Sequence, residues 1–191
     1  MTQATTRGRL AASLLAAMLA LVLVMSFSVT ASAQSTYPNR TTDSTCLNAQ
    51  EKQFLTLINN YRASKGLKAL KASKSLNIAS FTHSKDMGAR KYFSHTTKSP
   101  LPAGQSGSAF TNRMSDAGYT FNTTKGENIA AGYATAQAVF NGWKASSGHN
   151  ANMLNPKFTV IGIGMATVAG SPYGTYWTTD FGGTTDAAPG C

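Results

Sequence analysis

Lys157-Phe-Thr-Val-Ile-Gly-Ile-Gly-Met-Ala-Thr-Val168, then Ala169-Gly-Ser-Pro172, then Tyr173-Gly-Thr-Tyr-Trp-Thr-Thr-Asp-Phe181 is the stretch that decides the architecture. Both outer runs are Gly-punctuated and rich in β-branched and aromatic residues, and the four residues between them have the composition of a hairpin turn. Ile161, Ile163 and Met165 alternate onto one face of the first strand, and Trp177, Thr179 and Phe181 do so in its partner. An antiparallel pair closing the chain therefore needs a further layer to cover its apolar face.

The residues before it supply that layer. Asn48-Ala-Gln-Glu51 has capping-box spacing, and Leu47, Phe54, Ile58 and Tyr61 recur at helical intervals until Gly66, a C-terminal stop. Leu76, Ala79, His83, Met87 and Arg90 share one face of a second helix. After a Ser/Pro/Gly-rich loop over 98–107, Phe110, Met114 and Ala117 mark a short third helix ending at Gly118. Tyr119 to Ala131 reads as an extended stretch interrupted by a turn. Thr135 caps a fourth helix whose Ala136, Val139, Phe140 and Trp143 lie on one face, which Ser146 and Ser147 are expected to continue. Helices followed by an antiparallel sheet give the α+β class, with no internal repeat.

At the other end, Arg7 and Arg9 precede an apolar run from Leu10 to Val29, and Ala31-Ser32-Ala33 has the small-x-small pattern of a signal peptidase site. Residues 1–33 are expected to be a cleaved secretory signal, residues 34–47 a short polar leader and residues 48–191 the folded domain; an uncleaved signal anchor is the alternative. No Cys follows the apolar run closely, which argues against a lipoprotein anchor. The chain has 191 residues and a formal charge of +10, and removal of the two arginines in residues 1–33 leaves +8. That charge favours anionic partners without naming one. Two cysteines and three histidines exclude a multi-cysteine zinc site, an iron–sulfur protein and a dense disulfide scaffold. Export under oxidising conditions is expected to pair Cys46 with Cys191, two free or differently paired thiols being the alternative.

Four motifs occur in a fixed order: Tyr92-Phe-Ser-His95, Gly126-Glu-Asn-Ile-Ala130, Trp143-Lys-Ala-Ser-Ser-Gly-His-Asn-Ala-Asn-Met-Leu154 and Tyr176-Trp-Thr-Thr-Asp-Phe-Gly182. In that order they resemble the CAP superfamily of cysteine-rich secretory, antigen 5 and pathogenesis-related 1 proteins, in its bacterial SCP-like secreted branch. The resemblance covers about residues 50 to 183. It implies a three-layer α-β-α sandwich with a central, mainly antiparallel sheet and a cleft holding two His and two acids. His95 matches the first histidine, Glu127 the first acid and His149 the second histidine. Where animal and plant members place the second acid, three residues after the helix-four Trp, this chain has Ser146. Ser146, Asn128 and Tyr92, together with Phe93, are implied as neighbours of the cleft.

Two imidazoles and a carboxylate suit Zn²⁺ or another divalent cation with an open fourth position, and no organic cofactor is expected. Spacing alone does not bring His95, Glu127 and His149 together, because no His-Glu-x-x-His helix is present; the other reading is a metal-free cluster in which Glu127 orients the imidazoles. Ser146 or Ser147 with His149 as a nucleophilic pair is disfavoured, since no Gly-x-Ser-x-Gly elbow occurs and residues so close on a helix do not face each other. His83 is read as a packed or rim histidine, with an extra cleft residue as the alternative, and Trp143 and Trp177 as core.

Three function classes compete. One is a non-enzymatic secreted module binding a small-molecule, lipid or peptide ligand. A second is a metal-dependent hydrolase of the cell envelope, with Glu127 as base. The third is an interaction protein held on anionic cell-envelope polymers by lysines such as Lys65, Lys68, Lys71 and Lys74, which recur every third residue through an expected loop. Nucleic acid is not expected, because neither a recognition helix nor an aromatic-basic platform is legible.

Overall fold

The computed structural model describes residue 1 and residues 47–186. The rest of the expected signal segment, nearly all of the leader, and both Cys46 and Cys191 lie outside the described residues. Within them the order is α1 (Ala49–Ala63), β1 (Lys71–Ala72), α2 (Lys74–Ala89), α3 (Phe110–Asp116), β2 (Lys125–Ala131), α4 (Ala136–Ala145), α5 (Ser147–Met153), β3 (Val160–Thr167) and β4 (Thr175–Gly182).

The sheet runs β1-β3-β4-β2. β3 and β4 form the antiparallel hairpin and β2 adds antiparallel to β4, while the two-residue β1 lies parallel to β3, so the sheet is mixed. Alternation sorts the strands' side chains into two cores. Ile161, Ile163, Trp177 and Phe181 pack with Phe54 and Ile58 of α1, Val139, Phe140 and Trp143 of α4, and Met153 of α5. Val160 turns the other way to Leu76 of α2 and Met114 of α3, and Tyr176 meets Met87 of α2. The product is the α-β-α sandwich.

Local signals explain the helix boundaries. The Asn48 side chain accepts from the Glu51 amide, and Glu51 returns the bond to the Asn48 amide, which satisfies two donors at the start of α1. Thr135 caps α4 by accepting from the Ala138 amide. Glycine decides how closely α2 approaches the sheet. A Cβ at Gly162 would lie 2.1 Å from the Leu76 carbonyl carbon, and one at Gly164 would lie 2.1 Å from the Phe81 amide nitrogen. Helix α2 therefore rests its backbone directly on β3.

Two local expectations change. Ser146 and Ser147 do not continue the α4 face: the chain is extended at Ser146 (φ −96°, ψ 121°), and a second helix, α5, begins at Ser147. An extended residue between two helices redirects the chain, so His149 rides on a separate short helix. In the 119–131 stretch only Lys125–Ala131 is strand. The lysine series is also only partly loop, since Lys71 opens β1 and Lys74 opens α2.

Candidate functional site

Strand β2 is an edge of the sheet, and its residues point alternately to the two helical layers. Glu127 faces the α2–α3 side, in register with Asp180 of β4. Asn128 faces α5. Its side chain donates to the His149 carbonyl (3.1 Å) and accepts from the Asn152 side-chain amide (2.8 Å), so one buried amide ties α5 to the strand edge.

The Glu127 carboxylate has both oxygens engaged. Oε1 is 2.7 Å from His95 Nδ1, and Oε2 accepts from Arg113 Nη2 at 2.5 Å. The side chains of Glu127 and Arg113 are 1% and 2% exposed, whereas that of His95 is 53% exposed. Arg113 also donates through Nη1 to the carbonyls of His95 and Ser108 and to Thr97 Oγ1. One guanidinium thus fixes both the carboxylate and the loop that carries His95. Burial opposes ionisation of Glu127, but the His95 hydrogen bond and the Arg113 charge outweigh it and hold the carboxyl below its ordinary value. An ionised acceptor at Nδ1 places a proton on that nitrogen and fixes the orientation of the His95 ring.

His149 sits across from this arm, its ring tilted against Trp143 at 6.2 Å between centroids. Burial and the neighbouring His95 push its pKa down. His95, His149, Ser146 and Trp143 border a cleft of about 590 Å³ whose remaining walls include Phe93, Tyr133 and Tyr173. Phe93 and Tyr173 meet edge to face at 6.1 Å and are both exposed, which forms an aromatic rim.

The expected site residues therefore divide. His95, His149, Ser146 and Phe93 line the cleft. Glu127 lies behind His95, and Asn128 behind α5. Tyr92 turns away: its hydroxyl donates to Asp86, and its ring packs against His83 and under Arg90. Both oxygens of Glu127 are engaged by Arg113 and His95, and among the described residues no group of three His, Cys, Asp or Glu is placed to hold a metal ion.

His83 is packed, as expected, at 1% exposure. Its Nε2 bonds the Ser94 carbonyl, so the loop leading to His95 is pinned from α2 as well. Burial and then the Arg113 charge lower its pKa to about 4. Sequence reasoning missed Arg113. The available signal was its place on the Phe110–Met114–Ala117 stripe, where a cation must find a partner. It also missed Asp180, fully buried and receiving a 2.8 Å bond from Ser80 Oγ.

An α-β-α sandwich with two imidazoles in a cleft at its sheet edge is the class of domain that these elements define. The family model of the cysteine-rich secretory protein (CAP) family matches residues 55–181, and the chain belongs to that family. It is 37% identical over 135 residues to the uncharacterized protein YkwD of Bacillus subtilis (strain 168), an alignment covering 71% of this chain and 48% of YkwD. An extracellular protein containing an SCP domain from Bacillus anthracis str. Ames is similar at TM-score 0.59 and 29% identity, over 70% of this chain and 40% of that one. An outer surface protein of Borrelia burgdorferi, 20% identical, shares the fold at TM-score 0.59 over 71% of this chain and 95% of its own. The chain thus spans less than half the length of the two Bacillus relatives. No helix among the described residues is long and apolar enough to cross a membrane.

Proposed function

We propose that this is an exported, non-enzymatic binding module whose cleft takes a small ligand, lipid or peptide segment with an apolar body and a hydrogen-bonding end. The engagement of Glu127 carries the reading. A carboxylate with one oxygen on a guanidinium and the other on an imidazole, and only 1% of its side chain exposed, is committed to those partners and offers almost no surface to a substrate or water in the cleft. Aromatic walls with two imidazoles between them suit recognition: area from Phe93, Trp143 and Tyr173, orientation from His95 and His149. Export rests on the residue 1–33 signal pattern and on the likeness to an extracellular SCP-domain protein.

A divalent cation such as Zn²⁺ would be held by His95 and His149, with Glu127 behind His95 fixing its tautomer. The alternative, a metal-dependent hydrolase of the cell envelope, would require Glu127, its side chain 1% exposed, to be opened to the cleft.

Native mass spectrometry of the exported protein after incubation with an envelope extract tests the cleft. Wild type is expected to retain a small molecule that Ser146→Trp, which fills the cleft, does not; equal retention would remove the cleft from the account. Zn²⁺ calorimetry with His95→Ala/His149→Ala decides the cation, which requires binding that the double variant loses. Turnover of an envelope ester or peptide, abolished in Glu127→Gln, would replace the module with the hydrolase.

A further inference from the structure

Acids and bases are divided unequally between the interior and the surface. Residues 47–186 hold eleven Lys, three Arg and six Asp or Glu. Four of the six acids, Glu51, Glu127, Asp180 and Asp186, are buried. Asp86 pairs with Arg90, and Asp116 accepts from the Ser106 amide. Ten of the eleven lysines are exposed, and Lys125 is half-buried. The outer surface is therefore a lysine surface with little acid to offset it.

Four of those lysines gather at one end of the sheet. Lys71 opens β1 opposite Val160, Val160 lies opposite Gly182, and Gly182 lies opposite Lys125 at the start of β2. Three strand spacings separate Lys71 from Lys125, about 14 Å. Lys157 precedes β3 at the same end, its carbonyl beside Gly183. Lys68 is held there by Arg62, whose guanidinium is buried and bonds the carbonyls of Lys68, Asn155 and Phe158. The backbone of this end is thereby fixed, with Lys68, Lys71 and Lys157 exposed and the half-buried Lys125 holding its ammonium over the Tyr119 ring at 5.9 Å. Asp186 lies near it, but that carboxylate is buried against Ser73 Oγ and the Ser75 amide. The cleft is elsewhere: its rim residue Tyr173 belongs to the β3–β4 turn at the opposite end of the hairpin.

We infer that the Lys68–Lys71–Lys125–Lys157 end is a docking surface for a linear, phosphodiester-linked polyanion outside the cell, separate from the cleft and independent of its ligand. Lysines on a fixed backbone, without bidentate geometry, suit repeated phosphate charges along a flexible chain. A bilayer is the poorer match, because stable surface binding combines charge with apolar insertion. The exposed large apolar side chains of residues 47–186, Phe93, Leu101 and Tyr173, all belong to other parts of the domain. A base-reading nucleic-acid surface would add exposed stacking platforms, whereas the rings at this end, Tyr119 and Phe121, are buried and half-buried against each other.

The test titrates the full exported chain with poly(glycerol phosphate) across a salt series. Four phosphate contacts predict that log K falls against log salt with a slope of about −3. Lys68→Gln/Lys71→Gln/Lys125→Gln/Lys157→Gln is expected to weaken binding at least tenfold. A control with the same charge change, Lys52→Gln/Lys85→Gln/Lys91→Gln/Lys98→Gln, is expected to weaken it less than threefold. If the quadruple variant loses its fold, Lys68→Gln alone reads out as a shallower salt slope. Equal losses in both quadruple variants would reduce the effect to net charge and overturn the surface. So would the absence of binding at low salt, tighter binding to phosphatidylglycerol vesicles, or tighter binding to an oligothymidylate of equal phosphate number.

Discussion

Glu127 and Asp180 face each other across β2 and β4, both buried, and they meet opposite fates. Glu127 has Arg113 and His95 and is held ionised. Asp180 has one hydroxyl, from Ser80, and a second oxygen without a partner; burial, and then the Glu127 charge, push its pKa well above the ordinary range. Burial is common to the two, so it is not what sets the charge. Partners set it, and the cluster around the cleft is organised by a single arginine.

Removing that arginine breaks the contrast most severely. Arg113→Met would leave the buried carboxylate beside Asp180 with only the half-exposed His95 as partner and remove one of the two anchors of the loop that carries His95. A loss of about 3–5 kcal/mol in urea denaturation is expected, as for other buried pairs deprived of one partner. A change below about 1 kcal/mol would mean that Glu127 takes up a proton at little cost and that the arginine does not anchor the site.

The acid side of the stability curve sharpens the comparison from α2. The unfolded His83 titrates near 6.5 and the folded one near 4. Between those values the unfolded chain binds the extra proton, so stability is complete above pH 6.5 and falls as the pH drops toward 4. The loss attributable to this residue is about 3 kcal/mol. His83→Gln keeps a donor for the Ser94 carbonyl and should flatten that limb; an unchanged limb in denaturation followed from pH 7 to pH 4 would assign it to other groups.

Much of the frame is legible in the chain. The Asn48 box, the Thr135 cap and the β3–β4 alternation are local signals, and each governs its own element. Even the glycines at 162 and 164 are visible as punctuation, though only the structure shows that helix α2 lies on them. The site is less legible, because its chemistry depends on pairings distant in sequence. Arg113 is 14 residues from Glu127, and nothing in that interval indicates that a helix-three cation reaches an edge strand. Register is equally silent: no local pattern puts Glu127 opposite Asp180. The resemblance brought His95, Glu127 and His149 to one region, yet spacing cannot say that both carboxylate oxygens are engaged. Ser146-Ser-Gly148 reads as a polar helix end, whereas in the structure Ser146 is extended and the α5 that follows is tied to β2 by Asn128.

Asp180 offers a milder break from the opposite sign. Its folded pKa is raised, so its contribution is complete below the ordinary carboxylate range and is lost as the pH rises through the folded value. Asp180→Asn retains an acceptor for Ser80 Oγ and carries no charge at any pH. Thermal denaturation is expected to show the variant at least as stable as wild type at neutral pH and less sensitive on the alkaline side. A variant that is destabilised throughout would show that the carboxylate is ionised and paired after all, and the contrast with Glu127 would collapse.

The smallest effect on the fold should come from the arm of the cluster that faces solvent. His95 shares the carboxylate with Arg113 but keeps 53% of its side chain exposed, so its bond competes with water while Arg113's does not. His95→Ala should therefore cost about 1 kcal/mol or less, leaving Glu127 ionised on the guanidinium alone. Unfolding curves within that margin, alongside loss of any cleft ligand or divalent cation that wild type takes up, would separate the two partners of one carboxylate: the buried one maintains the fold, and the exposed one presents the site. A destabilisation as large as that of Arg113→Met would instead make His95 part of the structural pair, and the cleft would lose the free imidazole on which its proposed function depends.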